Sequence, residues 1–205
     1  MPIKIAIFVS GRGSNLNAII QAVEDGRLNA SIEVVVSNDP DAPALDLASR
    51  HDIKTFALSH KTLKRREHED KILEHLRQYQ IDYVVLAGYM RVLSPHFLKA
   101  FHDDRGYFKV INIHPSLLPA FPGTHAYRDA FEYGVKVSGV TVHLVDEKVD
   151  HGPILAQEPF PRFPDDTLES FSARGLSVEH ALYPAVLEQI ARSGIKLTAK
   201  ETARP

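Results

Sequence analysis

"IKIAIFVSGRGSN", residues 3–15, joins a nearly continuous apolar run to a loop that contains two glycines. The apolar run is rich in β-branched residues, a pattern typical of a strand covered on both faces in a parallel sheet. After the loop, apolar side chains recur at the i, i+3, i+4 and i+7 positions of an amphipathic helix, namely Leu16, Ile19, Ile20 and Val23. Gly26 is placed to end that helix. The stretch therefore predicts a strand, a loop and a helix in succession, with the strand at the centre of the sheet.

Strands and helices continue to alternate downstream of this first unit. Further buried strands are predicted at residues 32–36, 55–58, 83–87 and 110–113. Helices are predicted over residues 44–50 and within residues 62–79. Alternation of this kind implies right-handed crossovers between parallel strands. The sequence therefore predicts an α/β fold with a Rossmann-like, mainly parallel sheet flanked by helices.

The pattern changes after Gly123. Residues 140–145 alternate with a period of two, which is typical of a strand with two different faces. Residues 154–160 are predicted to pair with that strand as a hairpin, which gives the sheet a late antiparallel strand pair.

Helical spacing returns over residues 167–190, and Asp165 or Asp166 is available as its N-cap. Gly175 and Pro184 are expected to bend or divide this helix, because both residue types disfavour a helix interior. The last ten or so residues are polar and are expected to fray.

Composition restricts the class of protein. A chain of 205 residues with 44% hydrophobic content can bury the core of a single domain. The net charge of −2 argues against a nucleic-acid partner, and the absence of cysteine excludes disulfides and thiolate chemistry. No targeting pattern opens the sequence, and no apolar run reaches the roughly 18 residues that a membrane span needs. We expect a soluble, cytoplasmic protein.

The loop "SGRGSN" (residues 10–15) has two interpretations. Its glycines and the start of the following helix suit a single phosphate, which exposed N–H groups would bind. A dinucleotide fingerprint would need a glycine where Leu16 stands, and no Walker lysine follows. The alternative is a tight turn with Ser14 as the helix N-cap.

A second polar segment, "NIHPSLLPAFPG" (residues 112–123), follows a predicted strand. Asn112 and His114 are two residues apart, so their side chains point to the same side of an extended chain. An amide donor beside an imidazole can stabilise an oxyanion and move a proton, which acyl transfer requires. Asp150 is a candidate carboxylate for holding the imidazole charged. The alternatives are a satisfied turn histidine and a solvated turn aspartate.

Five segments together resemble one family, the folate-dependent glycinamide ribonucleotide formyltransferases of purine biosynthesis. The resemblance extends from about Ile3 to Ile190, in the order and spacing of the family. The segments are "SGRGSNL" (10–16), "VVLAGYMRVLS" (84–94), "INIHPSLLPAFPG" (111–123), "GVTVHLVDEKVDHGPI" (139–154) and "VEHALYP" (178–184).

The resemblance implies three sets of site residues. The catalytic set is Asn112, His114 and Asp150. The set that binds the ribonucleotide is Gly13, Ser14, Asn15 and Glu179. The set that binds folate is Arg66, Met90, Arg91, Val92 and Leu93, with Arg65 as the alternative to Arg66. No role follows for His151, and His143 either faces the same cleft or is an ordinary buried histidine.

The resemblance also implies the chemistry. The amine of glycinamide ribonucleotide attacks the formyl carbon of the co-substrate 10-formyltetrahydrofolate through a tetrahedral oxyanion, with no metal. We expect residues 1–205 to form one formyltransferase domain. Residues 1–100 would be its phosphate- and nucleotide-binding half and residues 101–195 its catalytic and folate-binding half. The partners expected are these two small molecules, with no nucleic acid and no membrane, and the protein is expected to be a monomer or a homodimer.

Three alternatives differ in what else they require. A formyltetrahydrofolate hydrolase usually carries an N-terminal regulatory domain, whereas this sequence starts at the first predicted strand. A methionyl-tRNA formyltransferase needs a C-terminal RNA-binding domain and lacks a loop of the "SGRGSN" type. A non-catalytic binding module would not need Asn112, His114 and Asp150 together.

Overall fold

The computed structural model describes residues 1–198, and the tail expected to fray lies mostly outside these residues. The strands are β1 (Ile3–Val9), β2 (Ala30–Ser37), β3 (Thr55–Ala57), β4 (Tyr83–Leu86), β5 (His102–Asp103), β6 (Tyr107–Phe108), β7 (Val110–His114), β8 (Val137–Leu144) and β9 (Ile154–Pro161). The helices are α1 (Ser14–Glu24), α2 (Pro43–Arg50), α3 (Arg65–Leu76), α4 (Pro95–Lys99), α5 (Ala126–Tyr133) and α6 (Leu168–Ser193).

Seven strands form one sheet in the order β3-β2-β1-β4-β7-β8-β9. The first five strands in this order, β3, β2, β1, β4 and β7, are parallel. Strand β8 is antiparallel to both of its neighbours, β7 and β9. The predicted Rossmann-like sheet with a late antiparallel pair is therefore confirmed. β3 and β9 are the two edges of the sheet, and β9 carries Pro159 and Pro161.

The central strand β1 is buried on both faces, as its apolar run predicts. Ile5, Ile7 and Val9 pack into one core, which includes residues of α1 and α6. Ala6 and Phe8 pack into the other core, which includes residues of α3 and α4. Alternate side chains of one strand thus bind the two helical layers to the sheet.

The N-cap of α1 is not the residue that the tight-turn alternative named. Gly13, not Ser14, is the N-cap, and Ser14 is the first residue of the helix. Gly13 has a φ of +79°, and a Cβ atom there would lie 2.7 Å from Cβ of Ala44. The close approach of α2 and the left-handed backbone both require glycine at this position. α1 ends at Glu24, two residues before Gly26.

The last helix also differs from the prediction. The N-cap of α6 is Thr167, neither Asp165 nor Asp166, because the Thr167 side chain accepts a hydrogen bond from N of Ser170 in a capping box. Gly175 and Pro184 do not divide α6, which is assigned as one helix of 26 residues. Both residues are buried, and packing against the sheet outweighs their low helix propensity.

Three short elements were not predicted: α4, α5 and the β5–β6 hairpin. α4 and the strands of the hairpin are too short for hydrophobic periodicity to reveal them. No helix within residues 1–198 is long and apolar enough to cross a membrane.

Candidate active site

A cleft of about 290 Å³ opens near the carboxyl ends of β4 and β7. One wall is the segment of residues 88–93, and another comes from residues 145–150 in the loop after β8. Asn15 and Glu179 line the cleft from the first turn of α1 and from α6. Ligands of open α/β sheets bind at this edge, because the loops after parallel strands meet there. Residues from both halves of the chain therefore form one cleft.

Asn112 and His114 lie on β7 and both line the cleft. In the antiparallel register Asn112 is opposite His143, and His114 is opposite Thr141. Side chains of directly opposed residues share one face of a sheet, so His143 belongs to the same face as Asn112. His143 lines the cleft. The sequence had left open whether it faces the cleft or is an ordinary buried histidine.

His114 is buried and has an acceptor near each ring nitrogen. Nε2 donates to the carbonyl of Phe121 at 2.8 Å, and Nδ1 lies 3.4 Å from Oδ2 of Asp150. Since a carbonyl can only accept, Nε2 carries a hydrogen. A second hydrogen on Nδ1 would also find an acceptor, so the surroundings accommodate a cationic imidazole.

Asp150 is held in place by the backbone. Its Oδ2 accepts a hydrogen bond of 2.8 Å from N of Gly123, in the loop that follows His114. The residue itself has a φ of +51°, in the left-handed region. Aspartate and asparagine tolerate this conformation better than most other residues with a side chain. The sequence placed Asp150 only in a polar loop, and the structure brings it next to His114.

His143 sets the orientation of the Asn112 amide. Nδ1 of His143 donates to the carbonyl of Leu144 at 2.8 Å, and burial lowers the pKa of His143. The neutral ring therefore offers a bare Nε2, which accepts from Nδ2 of Asn112 at 3.2 Å. Because Nδ2 carries two hydrogens, Asn112 keeps one donor for a ligand. Nε2 is 3.8 Å from Oδ1 of Asp150, and a neutral His143 forms no ion pair there.

The structure brings together part of the set of residues predicted to bind the ribonucleotide. Asn15 and Glu179 are buried neighbours, with Nδ2 of Asn15 donating to Oε2 of Glu179 at 2.6 Å. Ser14 is exposed at the first turn of α1, next to the left-handed Gly13. This end of α1 presents backbone N–H groups that suit an anion.

The segment 88–93 is fixed close to both of its ends. N of Met90 donates to Oγ of Ser10 at 2.8 Å. Beyond the segment, N of Ser94 donates to Oε1 of the buried Glu69 at 2.8 Å, and Oγ of Ser94 donates to Oε2. Met90 and Val92 are largely exposed and Leu93 is buried. The segment therefore forms a largely apolar wall of the cleft that is attached to Ser10 near one end and to Glu69 near the other.

Arg66 is not among the residues that line the cleft, unlike Met90, Arg91, Val92 and Leu93. It lies in the first turn of α3, where its Nε is 3.5 Å from Oδ2 of Asp70, and 70% of its side chain is exposed. Arg65 precedes it at the start of α3 and is also exposed. His151 is outside this lining too, and its Nδ1 pairs with Oδ2 of Asp146 at 2.6 Å.

Sequence reasoning missed residues that support the site rather than form its lining. Ser10 had a signal, because it opens the "SGRGSN" loop. Glu69 and Tyr127 had none, because each is one of several polar residues in its helix and its partner is remote in sequence. No cluster of three or more potential metal ligands occurs in the part of the chain that the structure describes.

The parallel sheet, its antiparallel extension and the amide, imidazole and carboxylate at its edge define a class of protein, the formyl transferases. The chain belongs to this family, since the sequence model of the family described as "Formyl transferase" matches residues 3–187.

Within the family, proteins similar to this chain carry the names phosphoribosylglycinamide formyltransferase and glycinamide ribonucleotide transformylase. The chain is 42% identical over 188 residues to "Phosphoribosylglycinamide formyltransferase" of Bacillus subtilis (strain 168), covering 91% of this chain and 94% of the relative. It is 39% identical to the Escherichia coli (strain K12) protein of that name, covering 94% of this chain and 89% of the relative. The crystal structure of glycinamide ribonucleotide transformylase 1 from Symbiobacterium toebii superposes with a TM-score of 0.90 at 38% identity, covering 97% of this chain and 92% of the other. The resemblance found in the sequence is confirmed.

Proposed function

We propose that this chain transfers a formyl group from 10-formyltetrahydrofolate to the amine of glycinamide ribonucleotide. The products are formylglycinamide ribonucleotide and tetrahydrofolate, in de novo purine (IMP) biosynthesis. The observation that carries the proposal is the meeting of Asn112, His114 and Asp150 in one cleft. The names of the relatives support a transferase rather than a hydrolase.

Asn112 stabilises the charge that develops in the reaction. The uncharged amine of the ribonucleotide attacks the formyl carbon, and the carbonyl oxygen becomes an oxyanion. The hydrogen that Nδ2 of Asn112 does not give to His143 is available to that oxygen. A donor fixed before the reaction begins needs no reorganisation when charge appears.

His114 supplies positive charge and a proton. Asp150 and the Phe121 carbonyl hold the two N–H groups of the protonated ring. When the bond from the formyl carbon to the folate nitrogen breaks, His114 gives a proton to that nitrogen, and the proton that the attacking amine loses restores the protonated ring. To pass its proton on, His114 exchanges one of its two acceptors for the substrate.

The two substrates occupy different parts of the cleft. Gly13, Ser14 and Asn15 hold the phosphate end of the ribonucleotide, and Glu179 binds the same substrate. Residues 90–93 bind folate, where apolar side chains suit an aromatic ring system. Arg66, outside the lining, binds the extended acidic end of folate.

The remaining assignments rest on the same family. We assign residues 1–205 to one formyltransferase domain in the cytoplasm, acting on these two small molecules as a monomer or a homodimer. Sedimentation velocity over a range of concentrations decides between the two oligomeric states.

The decisive experiment follows loss of formyl folate spectrophotometrically, with and without glycinamide ribonucleotide, in wild type and Asp150→Asn. Asparagine tolerates the left-handed backbone of residue 150, so the variant removes charge with little strain. We expect turnover that requires the ribonucleotide and falls by about 10²-fold or more in the variant, as for loss of other electrostatic support in active sites. Asp104→Asn, at an exposed position, is the control and should retain activity. Turnover without the ribonucleotide would instead indicate a hydrolase.

A further inference from the structure

The buried side chains of Asn15 and Glu179 and the partly buried side chain of Tyr127 form a hydrogen-bonded chain beside the cleft. The hydroxyl of Tyr127, on α5, donates to Oε1 of Glu179 at 2.5 Å. Nδ2 of Asn15 donates to Oε2 of the same carboxylate at 2.6 Å. Glu179 and Asn15 line the cleft, but Tyr127 does not. Tyr127 therefore acts on the cleft through its hydrogen bond to Glu179.

Gly175 makes room for the ring of Tyr127. It lies on α6 one turn before Glu179, and a Cβ atom at this position would be 2.4 Å from Cε1 of Tyr127. The ring is further enclosed by edge-on contacts with Phe160 and Phe171. Glycine weakens the interior of a helix, so its place here is explained by the space that the tyrosine ring needs.

The Asn15 amide has one orientation in this arrangement. With Nδ2 against Glu179, Oδ1 points elsewhere, and a flipped amide would set two oxygens against each other. Oδ1 of Asn15 is buried and has no hydrogen-bond partner among the residues that the structure describes. A buried acceptor without a partner is costly, and a ligand that donates a hydrogen would satisfy it.

We propose that Tyr127 is a positioning residue of the ribonucleotide site. It fixes the Glu179 carboxylate, which fixes the Asn15 amide with Oδ1 as an acceptor for a hydroxyl or amide hydrogen of the ribonucleotide. This inference rests on the proposed function. Glu179 and Oδ1 of the Asn15 side chain form an acceptor pair that attracts hydroxyl and N–H groups and repels phosphate. The phosphate is therefore left to the backbone N–H groups of Gly13, Ser14 and Asn15 at the start of α1.

Tyr127 remains a donor under all ordinary conditions. Burial raises its pKa well above the usual value, and the negative charge of Glu179 and the hydrogen bond to it raise the pKa further. The hydroxyl thus stays protonated beside the carboxylate.

Tyr127→Phe tests the proposal, because it keeps the ring in the space above Gly175 and removes only the hydroxyl. We expect KM for glycinamide ribonucleotide to rise on the order of tenfold, as for loss of one hydrogen bond to a charged group. Turnover number and KM for formyl folate should stay within about twofold of wild type. Tyr133→Phe is the matched control, since Tyr133 lies on the same helix with 81% of its surface exposed.

Gly175→Ala is the second variant, because its methyl group displaces the ring without changing Tyr127. We expect the same selective rise in KM for the ribonucleotide, and a smaller further rise when Gly175→Ala is added to Tyr127→Phe. Thermal unfolding of each variant separates this effect from loss of fold.

Two results overturn the inference in distinguishable ways. If wild type transfers formyl to the ribonucleotide but folded Tyr127→Phe has an unchanged KM, Tyr127 has no positioning role. An equal change in both KM values also contradicts that role. If wild type shows no turnover that depends on the ribonucleotide, the proposed function itself fails.

Discussion

At the scale of single residues, what the sequence could predict depended on distance along the chain. Asn112 and His114 were predictable as a pair, because two residues of one strand share a face. His143 needed the register of β7 and β8, which places it opposite Asn112. The neighbours of Asp150 could not be read from local sequence, because a backbone bond to Gly123 and a left-handed φ set its position.

Asn112→Ala tests the donor at this scale. The variant removes the amide hydrogen assigned to the oxyanion, and we expect turnover to fall by about 10²–10³. The KM values should change little, since the donor acts on charge that is absent from the ground state. Steady-state kinetics with both substrates measure the split. Normal turnover in the variant would rule out this role for Asn112.

At the scale of elements, the long periodic segments were predicted and their ends were not. α6 was expected to be divided at Gly175 and Pro184, but its buried face packs on the sheet without a break. The caps were wrong at α1 and α6, because cap geometry depends on neighbours such as Ala44 and on local side-chain bonds. The short α4 helix, which follows the segment of residues 88–93, gave no periodic signal.

Glu69→Ala tests how the segment of residues 88–93 is held in place. The variant leaves the Ser94 backbone N–H and hydroxyl without their carboxylate partner. We expect the free energy of unfolding to drop by about 1–3 kcal/mol, the usual effect of leaving a buried polar group unsatisfied. KM for formyl folate should rise, because residues 88–93 lose one of their two fixed ends.

Urea denaturation and kinetics on one preparation measure both effects of Glu69→Ala. Glu67→Ala is the matched control, since Glu67 lies on α3 but is exposed. A stability loss equal in the two variants would show that the Glu69–Ser94 contact contributes nothing specific.

At the scale of the whole molecule, the topology was the most predictable feature. The doubly covered β1 and the regular alternation of strands and helices leave few ways to build a sheet. The change at β8 was visible as a change of period, from continuous apolar strands to alternation. The overall cleft also follows from topology, since the loops after β1, β4 and β7 meet at one edge.

The stability of the whole molecule should depend on pH through buried histidines. Burial lowers the pKa of both His68 and His143 from the ordinary value of 6.5, although His68 also has a backbone hydrogen bond to Leu58, which raises it. Below pH 6.5 the unfolded imidazoles take up protons that the folded ones refuse. The contribution of these two histidines to the free energy of unfolding is therefore complete above that pH. It falls as the solution becomes more acidic.

Urea denaturation at pH 7.5 and 5.5 measures this fall, which is at most about 1.4 kcal/mol per pH unit for each imidazole. His68→Gln should reduce the fall, and His125→Gln, at an exposed position, should leave it unchanged. The carboxyls of Asp103 and Asp166 do not interfere between pH 7.5 and 5.5, because their lowered pKa values affect stability only below about pH 5. An identical fall in His68→Gln and wild type would contradict the assignment.

The prolines of β9 bear on how the protein behaves at high concentration. An edge strand presents unpaired N–H and C=O groups, to which a strand of another molecule can add and start an aggregate. Pro159 and Pro161 have no N–H group, so this part of the edge lacks the donors that strand addition requires. The sheet thus ends in a segment that cannot act as a template for fibrous growth. Two residues outside the cleft lining thus protect this edge of the sheet from strand addition.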